Sequence, residues 1–182
     1  NAGTYSTIYS DQQGYDLVNT STLIISPKTL TATLTGNTGN TYAFTKTYDG
    51  GTAVTTGLVL GTTYTFDNAV SGDTVSIAAN SSGTYNDKNV GDGKTISYTG
   101  ITLTGADADN YTIATTLSGN VGQITKKNIT AALTGTNSFS KIYDGNTDVT
   151  TALTLGVNYN FGTGDIESGD SDTGKVNLAI TT

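Results

Sequence analysis

One stretch of this chain occurs twice, and that recurrence constrains the fold more than any other feature. Lys46-Thr-Tyr-Asp-Gly-Gly-Thr52 returns as Lys141-Ile-Tyr-Asp-Gly-Asn-Thr147. The identity continues at a constant offset, with Leu58, Leu60, Gly61, Tyr64 and Phe66 reappearing as Leu153, Leu155, Gly156, Tyr159 and Phe161. A recurrence of this length is a structural repeat, and its period of about 95 residues sets the size of the unit. A unit of that size buries its own core, though only marginally. The chain therefore reads as a piece of a tandem array.

The residues between the landmarks say what each unit is made of. Only 35% of the 182 residues are apolar; Thr, Gly, Ser and Asn fill the difference. Those residues favour short strands and turns over helices. Leu30, Ala32 and Leu34 alternate with threonines, as a half-buried strand does, and Ile129, Ala131 and Leu133 repeat the pattern 99 residues later. The four extra residues fall in the 36–45 stretch, a surface connection by this reading. Further short strands are expected around Thr4 to Ile8, Leu58 to Leu60, Tyr64 to Phe66, Val75 to Ile77, Ile96 to Tyr98 and Ile101 to Leu103, with turns at Asn80 to Gly83 and Gly105 to Asn110. In the second unit, Val176, Leu178 and Ile180 match the Val75 strand. Pro27, the only proline, suits a junction. Turn signals recur every eight to twelve residues, which points to an all-β chain of antiparallel β-sandwich-like modules arranged end to end. The alternative is a β-grasp-like module. The expected divisions are 1–26, the tail of a preceding unit; 27–125, a full repeat; and 126–182, a second, partial repeat.

Composition excludes several kinds of chemistry. The net charge is −7 and the eight basic residues are all lysine, scattered along the chain. Nucleic-acid binding needs clustered cations, so nucleic acid is not an expected partner. The chain has no Cys and no His, which removes thiolate and imidazole metal sites, disulfides and the common nucleophile–base pairs. Paired carboxylates could in principle hydrolyse glycosides, but a duplicated catalytic pair is an unusual arrangement, and no enzyme is expected. No run of 18 apolar residues is present, so no helical membrane span is expected.

Two sets of residues are candidate sites. The first is the repeated motif: Lys46, Tyr48, Asp49 and Gly50, and Lys141, Tyr143, Asp144 and Gly145. Asp-Gly favours a turn, because Asp bonds nearby backbone and Gly takes φ > 0. Tyr then packs down and Lys pairs with Asp. The sharper alternative is an isopeptide cross-link from the lysine, which would lower the mass by about 17 Da through loss of ammonia. The second set is acidic: Asp107 and Asp109 in one loop, and Asp165, Glu167, Asp170 and Asp172 in another. Such oxygens suit Ca²⁺, yet neither loop has the twelve-residue calcium-binding pattern. Solvated turns are the plainer reading, with no cofactor expected beyond this Ca²⁺ option. The eleven tyrosines could stack on sugar rings, but most fall at strand positions.

The motifs also carry a resemblance. Lys-x-Tyr-Asp-Gly-x-Thr followed by Thr-Thr resembles the signature of the YDG repeat of large bacterial exoproteins. Tyr85-Asn-Asp-Lys-Asn-Val-Gly-Asp-Gly-Lys94 and Gly100-Ile-Thr-Leu-Thr-Gly-Ala-Asp-Ala-Asp-Asn-Tyr111 are similar to later blocks of the same repeat. The similarity covers residues 28–125 in full and 126–182 in part. Residues 1–26 resemble the end of the glycine-rich MBG module that neighbours such repeats. This resemblance implies an extracellular place in a bacterial cell-surface adhesin of the filamentous-haemagglutinin-like kind. There the repeat would be a monomeric stalk supporting cell adhesion or biofilm formation, with other repeats of the same chain as its partners. It brings no catalytic residues. A carbohydrate- or matrix-protein-binding module and a Ca²⁺-stiffened stalk are the alternative functions.

Overall fold

The structure is a computed structural model and describes residues 1–7, 21–39, 41–79, 81–134, 142–146, 154–167 and 170. It is all-β: the described residues form strands joined by turns, with a single short 3₁₀ turn at Ala108–Asn110. The largest sheet has four strands, in the order Ser82–Tyr85, Gly91–Thr99, Thr116–Thr125, Phe44–Thr47. The first two pairings are antiparallel, with Tyr85 opposite Ile96 and Thr99 opposite Thr116. The last is parallel, with Gly122 opposite Phe44 and Thr125 opposite Thr47. A second parallel pair joins Lys28–Thr29 to Tyr111–Thr112. The large sheet is thus mixed and one small sheet parallel, where the sequence pointed to antiparallel pairing throughout. Parallel pairing requires a long crossover, and here about 70 residues separate the two paired strands, far beyond a hairpin turn.

Alternation builds the core. Along Phe44–Thr47 the buried positions are Phe44 and Lys46, and along Ser82–Tyr85 they are Gly83 and Tyr85. Phe44, Ile96, Ile101, Ile124 and Tyr64 are almost wholly enclosed, and Leu34, Ile77, Tyr85, Tyr98 and Val121 complete the cluster. Three tyrosines of this cluster place the hydroxyl on backbone: Tyr85 donates to the Phe44 carbonyl at 3.0 Å, Tyr64 accepts from the Ile77 N–H at 2.7 Å, and Tyr98 donates to the Thr56 carbonyl. Aromatic bulk is thereby buried without an orphaned polar atom. The rings need room that only glycine leaves. A Cβ on Gly83 would come within 2.7 Å of the Tyr98 ring, and one on Gly122 within 2.7 Å of Ile96 and 2.9 Å of Tyr85.

The second repeat reproduces the first locally. Ala32–Leu34 pairs antiparallel with Tyr64–Phe66, Leu34 opposite Tyr64; Ala131–Leu133 pairs with Tyr159–Phe161 in the same register, Leu133 opposite Tyr159. Both tyrosines meet their phenylalanine edge-on, at 5.3 and 5.5 Å between ring centres. The two differ in cover. Leu34 is 6% exposed and lies against Gly119 of the large sheet, whereas Leu133 is 66% exposed.

Several expectations shift in detail. Leu58 to Leu60 is not a strand; Leu60 makes one bridge to Tyr64 across a turn. Asn80 to Gly83 was expected as a turn, yet the strand Ser82–Tyr85 begins inside it. The strand expected around Ile96 to Tyr98 is longer, Gly91–Thr99. The 36–45 connection contains its own small hairpin, Asn37–Thr38 against Thr41–Tyr42, and runs straight into Phe44 of the core. The Val176, Leu178 and Ile180 strand lies outside the described residues.

Candidate functional site at the junction of the repeats

The repeated motif folds as a clamp. Asp49 Oδ1 accepts from the Gly51 N–H at 2.9 Å, which closes the turn. Lys46 Nζ then donates to the same Oδ1 at 2.7 Å and to the Gly51 carbonyl at 2.8 Å. Lys46 is 8% exposed and its ammonium sits 5.3 Å from the centre of the Tyr85 ring. A buried cation is costly unless its donors are satisfied, and the turn satisfies them. The Lys46 ammonium, followed by the Gly51 N–H, holds the Asp49 carboxyl below its ordinary value.

A second clamp has the same form. Asp87 Oδ1 accepts from the Asn89 N–H at 2.7 Å, and Lys94 Nζ donates to that Oδ1 and to the Asn89 carbonyl at 2.9 Å. Lys94 is likewise 8% exposed, and it lowers the Asp87 pKa. Each clamp is an Asp turn fastened by a buried lysine arriving from an adjoining strand. Neither Asp87 nor Lys94 was singled out from the sequence. The signal was present as Asp-x-Asn followed by a lysine, which parallels Asp-Gly-Gly preceded by one.

The two clamped loops present Tyr48 and Lys88 side by side, with Lys88 Nζ 5.9 Å from the Tyr48 ring centre. Both reach into the second repeat. Tyr48 Oη donates to one oxygen of Asp170, and Lys88 Nζ donates to the other at 3.0 Å. The carboxylate raises both pKa values: that of Tyr48 because its hydroxyl donates to the anion, that of Lys88 because its cation is paired. Gly50 packs beside the same loop, where a Cβ would stand 3.2 Å from Glu167 Cβ. Lys127, in the linker between the repeats, ties in Glu167 and donates to the Gly164 carbonyl at 2.8 Å. A cleft of 620 Å³ opens at this junction, lined in part by Tyr48, Val90, Lys126, Ile129 and Ile166.

The acidic candidates are distributed over different tasks. Asp107 Oδ2 accepts from the Thr74 N–H at 2.8 Å, and the Asp107 N–H returns a bond to the Thr74 carbonyl. Asp109 is exposed in the 3₁₀ turn. Asp165 fastens its loop to Thr130, accepting from the backbone N–H at 2.7 Å and from the hydroxyl at 2.8 Å; those bonds, the backbone one first, lower its pKa. Asn68 does the same in the first repeat, accepting from the Thr31 N–H at 3.0 Å. Glu167 and Asp170 belong to the junction. Asp172 lies outside the described residues, as does Lys141. Among the described residues, no three acids gather where they could hold one metal ion. Tyr143, Asp144 and Gly145 are described: the Asn146 N–H closes on Asp144 Oδ1 at 3.2 Å, the turn of the first copy again, while Tyr143 is 92% exposed.

Residues 26–118, about half of the chain, match the YDG domain, and the chain belongs to that family. No curated protein and no solved structure matches the chain.

Proposed function

We propose that this chain is a stalk segment of an extracellular bacterial adhesin, a spacer whose task is to hold another part of its protein away from the cell surface in adhesion or biofilm formation. The observation that carries this reading is the junction. Two loops, each built around a buried lysine, meet a carboxylate of the next repeat. A glycine and the linker Lys127 meet the neighbouring glutamate. Such an arrangement fixes one unit against the next. Membership of the YDG family, a cysteine- and histidine-free composition and net negative charge accord with a soluble, cross-link-free spacer.

The test pairs shape with binding. Small-angle scattering of the chain is expected to give one fixed, elongated envelope, and arrays of glycans and matrix proteins are expected to retain none of it. Specific retention on an array would replace the spacer with a binding module. A compact or continuously flexing envelope would remove the mechanical basis of the proposal.

A further inference from the structure

The 142–146 tip of the second repeat copies the Tyr-Asp-Gly half of the dock in which the first repeat receives the 167–170 turn, and it is exposed where the first is covered. At the first tip, Gly50 faces Glu167 and Tyr48 bonds Asp170. At the second, Tyr143 and Ile142 are each 92% exposed, and a Cβ on Gly145 would meet nothing within 4 Å. The turn that enters the first dock also has a counterpart. The Asp170 N–H bonds the Glu167 carbonyl at 3.0 Å, and the Asp73 N–H bonds the Val70 carbonyl at 3.2 Å, so Val70 and Asp73 stand where Glu167 and Asp170 stand. Ser-Gly-Asp closes both turns in the sequence. Val70 is 50% exposed and a Cβ on Gly72 would be unobstructed, so this turn is open to a partner.

We propose that the 142–146 tip is a docking surface for a second copy of this chain, which enters with its 70–73 turn. Val70 would then cover Gly145 and Ile142, and the Tyr143 hydroxyl would donate to the Asp73 carboxylate. That carboxylate already accepts from Tyr111 and has acceptor sites to spare. The contact is heterologous, so it leaves a free tip and a free turn at the two ends and grows head to tail instead of closing into a dimer. It departs from the monomer expected at the outset and goes beyond the spacer reading, which needs only the joint within one chain.

The chain has no cysteine, so paired cysteines report the contact directly. Val70→Cys with Gly145→Cys, oxidised at high protein concentration, is expected to give a ladder of disulfide-linked multimers, while either substitution alone gives at most a dimer. Gly50→Cys with Glu167→Cys is the control and is expected to close within one chain, since the Cβ positions lie 3.2 Å apart. Because cysteine at a positive-φ glycine is strained, sedimentation provides the second measurement. The average mass of the unmodified chain should climb toward multiples with concentration, and Tyr143→Ala, at an exposed site, should abolish the climb. A mass fixed at one chain at the highest soluble concentration overturns the proposal, as does equal association by Tyr143→Ala. Failure of the Gly50–Glu167 control would instead strike the joint on which the spacer reading depends.

Discussion

Lys88 Nζ lies 3.0 Å from a carboxylate oxygen of Asp170, although 82 residues separate the two in sequence. The Tyr48 hydroxyl shares that carboxylate. The Asp170 side chain is 17% exposed and that of Lys88 41%, so the pair is partly screened by water. Partly exposed ion pairs contribute only about 0–1 kcal/mol to stability. Their effect here is directional. Asp170→Asn is expected to leave melting of the first repeat in place while loosening the angle between the repeats. Residual dipolar couplings check this: both repeats should share one alignment tensor in the unmodified chain and need two in the variant.

The Lys46 clamp is a matter of stability. Truncating Lys46 to Ala removes two charge-assisted bonds and leaves the Gly51 carbonyl without its donor. Bonds to charged groups contribute about 1.5–3 kcal/mol. Asp49 is half exposed and recovers water, so a loss of about 1–2 kcal/mol is expected. At roughly 4–8 °C per kcal/mol for a unit of this size, Tm should fall by about 4–16 °C. Lys94→Ala should behave alike, because its clamp has the same form. A melt of either variant that coincides with the parent would show the turns hold without their lysines.

Gly122 tests the packing. Its missing Cβ is what lets Ile96 and Tyr85 cross the strand Thr116–Thr125. Gly122→Ala inserts a methyl within 3 Å of both, and overpacking of this kind costs about 1–3 kcal/mol. The expected result is a lower denaturation midpoint with an unchanged slope, since the surface exposed on unfolding stays the same.

The sequence made some of this legible and hid the rest for identifiable reasons. The alternation at Leu30, Ala32 and Leu34 and the Tyr64/Phe66 spacing report local burial, and local burial is what they show in the structure. The parallel pairing of Phe44–Thr47 with Thr116–Thr125 is a contact between residues nearly eighty positions apart, on which neither strand's own pattern bears. The Leu58 to Leu60 spacing mimics a strand, but Thr63 intervenes. Its hydroxyl accepts from the Val59 N–H at 2.7 Å and the backbone turns instead. At the site, Asp-Gly announced the turn, while Lys88 and Lys127 looked like ordinary surface lysines because their partner carboxylates lie 82 and 40 residues away in sequence.

Acid should weaken the fold through the fastened aspartates. Asp49 and Asp87 are held below the ordinary value of 3.8 by Lys46 and Lys94, and Asp165 by the Thr130 N–H. A carboxyl whose folded pKa is depressed contributes stability above its unfolded value and loses that contribution as pH falls through the folded one. Stability should therefore drop below about pH 4, where these groups begin to protonate. Asp165→Asn isolates one contribution. Asn68 already fills the equivalent place with a neutral amide, which also donates to the Thr29 carbonyl at 2.8 Å. The variant should keep the loop fastened at neutral pH and show a shallower loss in acid, as read from denaturant melts at pH 7 and pH 3.

Alkali acts through Tyr98. This ring is 2% exposed, and burial pushes its pKa from 10.0 up to about 12, with the nearby Tyr85 adding to the shift. Raising the pKa of an acid that is neutral when protonated means the folded state favours the neutral form. The resulting stability is present in full below the unfolded value and disappears as pH rises through the folded one. The fold should thus weaken between pH 10 and about 12. Ultraviolet titration at 295 nm should show this tyrosine ionising together with unfolding. Tyr98→Phe removes the ionisable group but also the bond to the Thr56 carbonyl. It should therefore be less stable than the parent at pH 7 and lose less on going to pH 12. A variant that loses as much as the parent over that interval would place the alkaline sensitivity on another tyrosine, with Tyr64 and Tyr85, both raised by burial, the next to test.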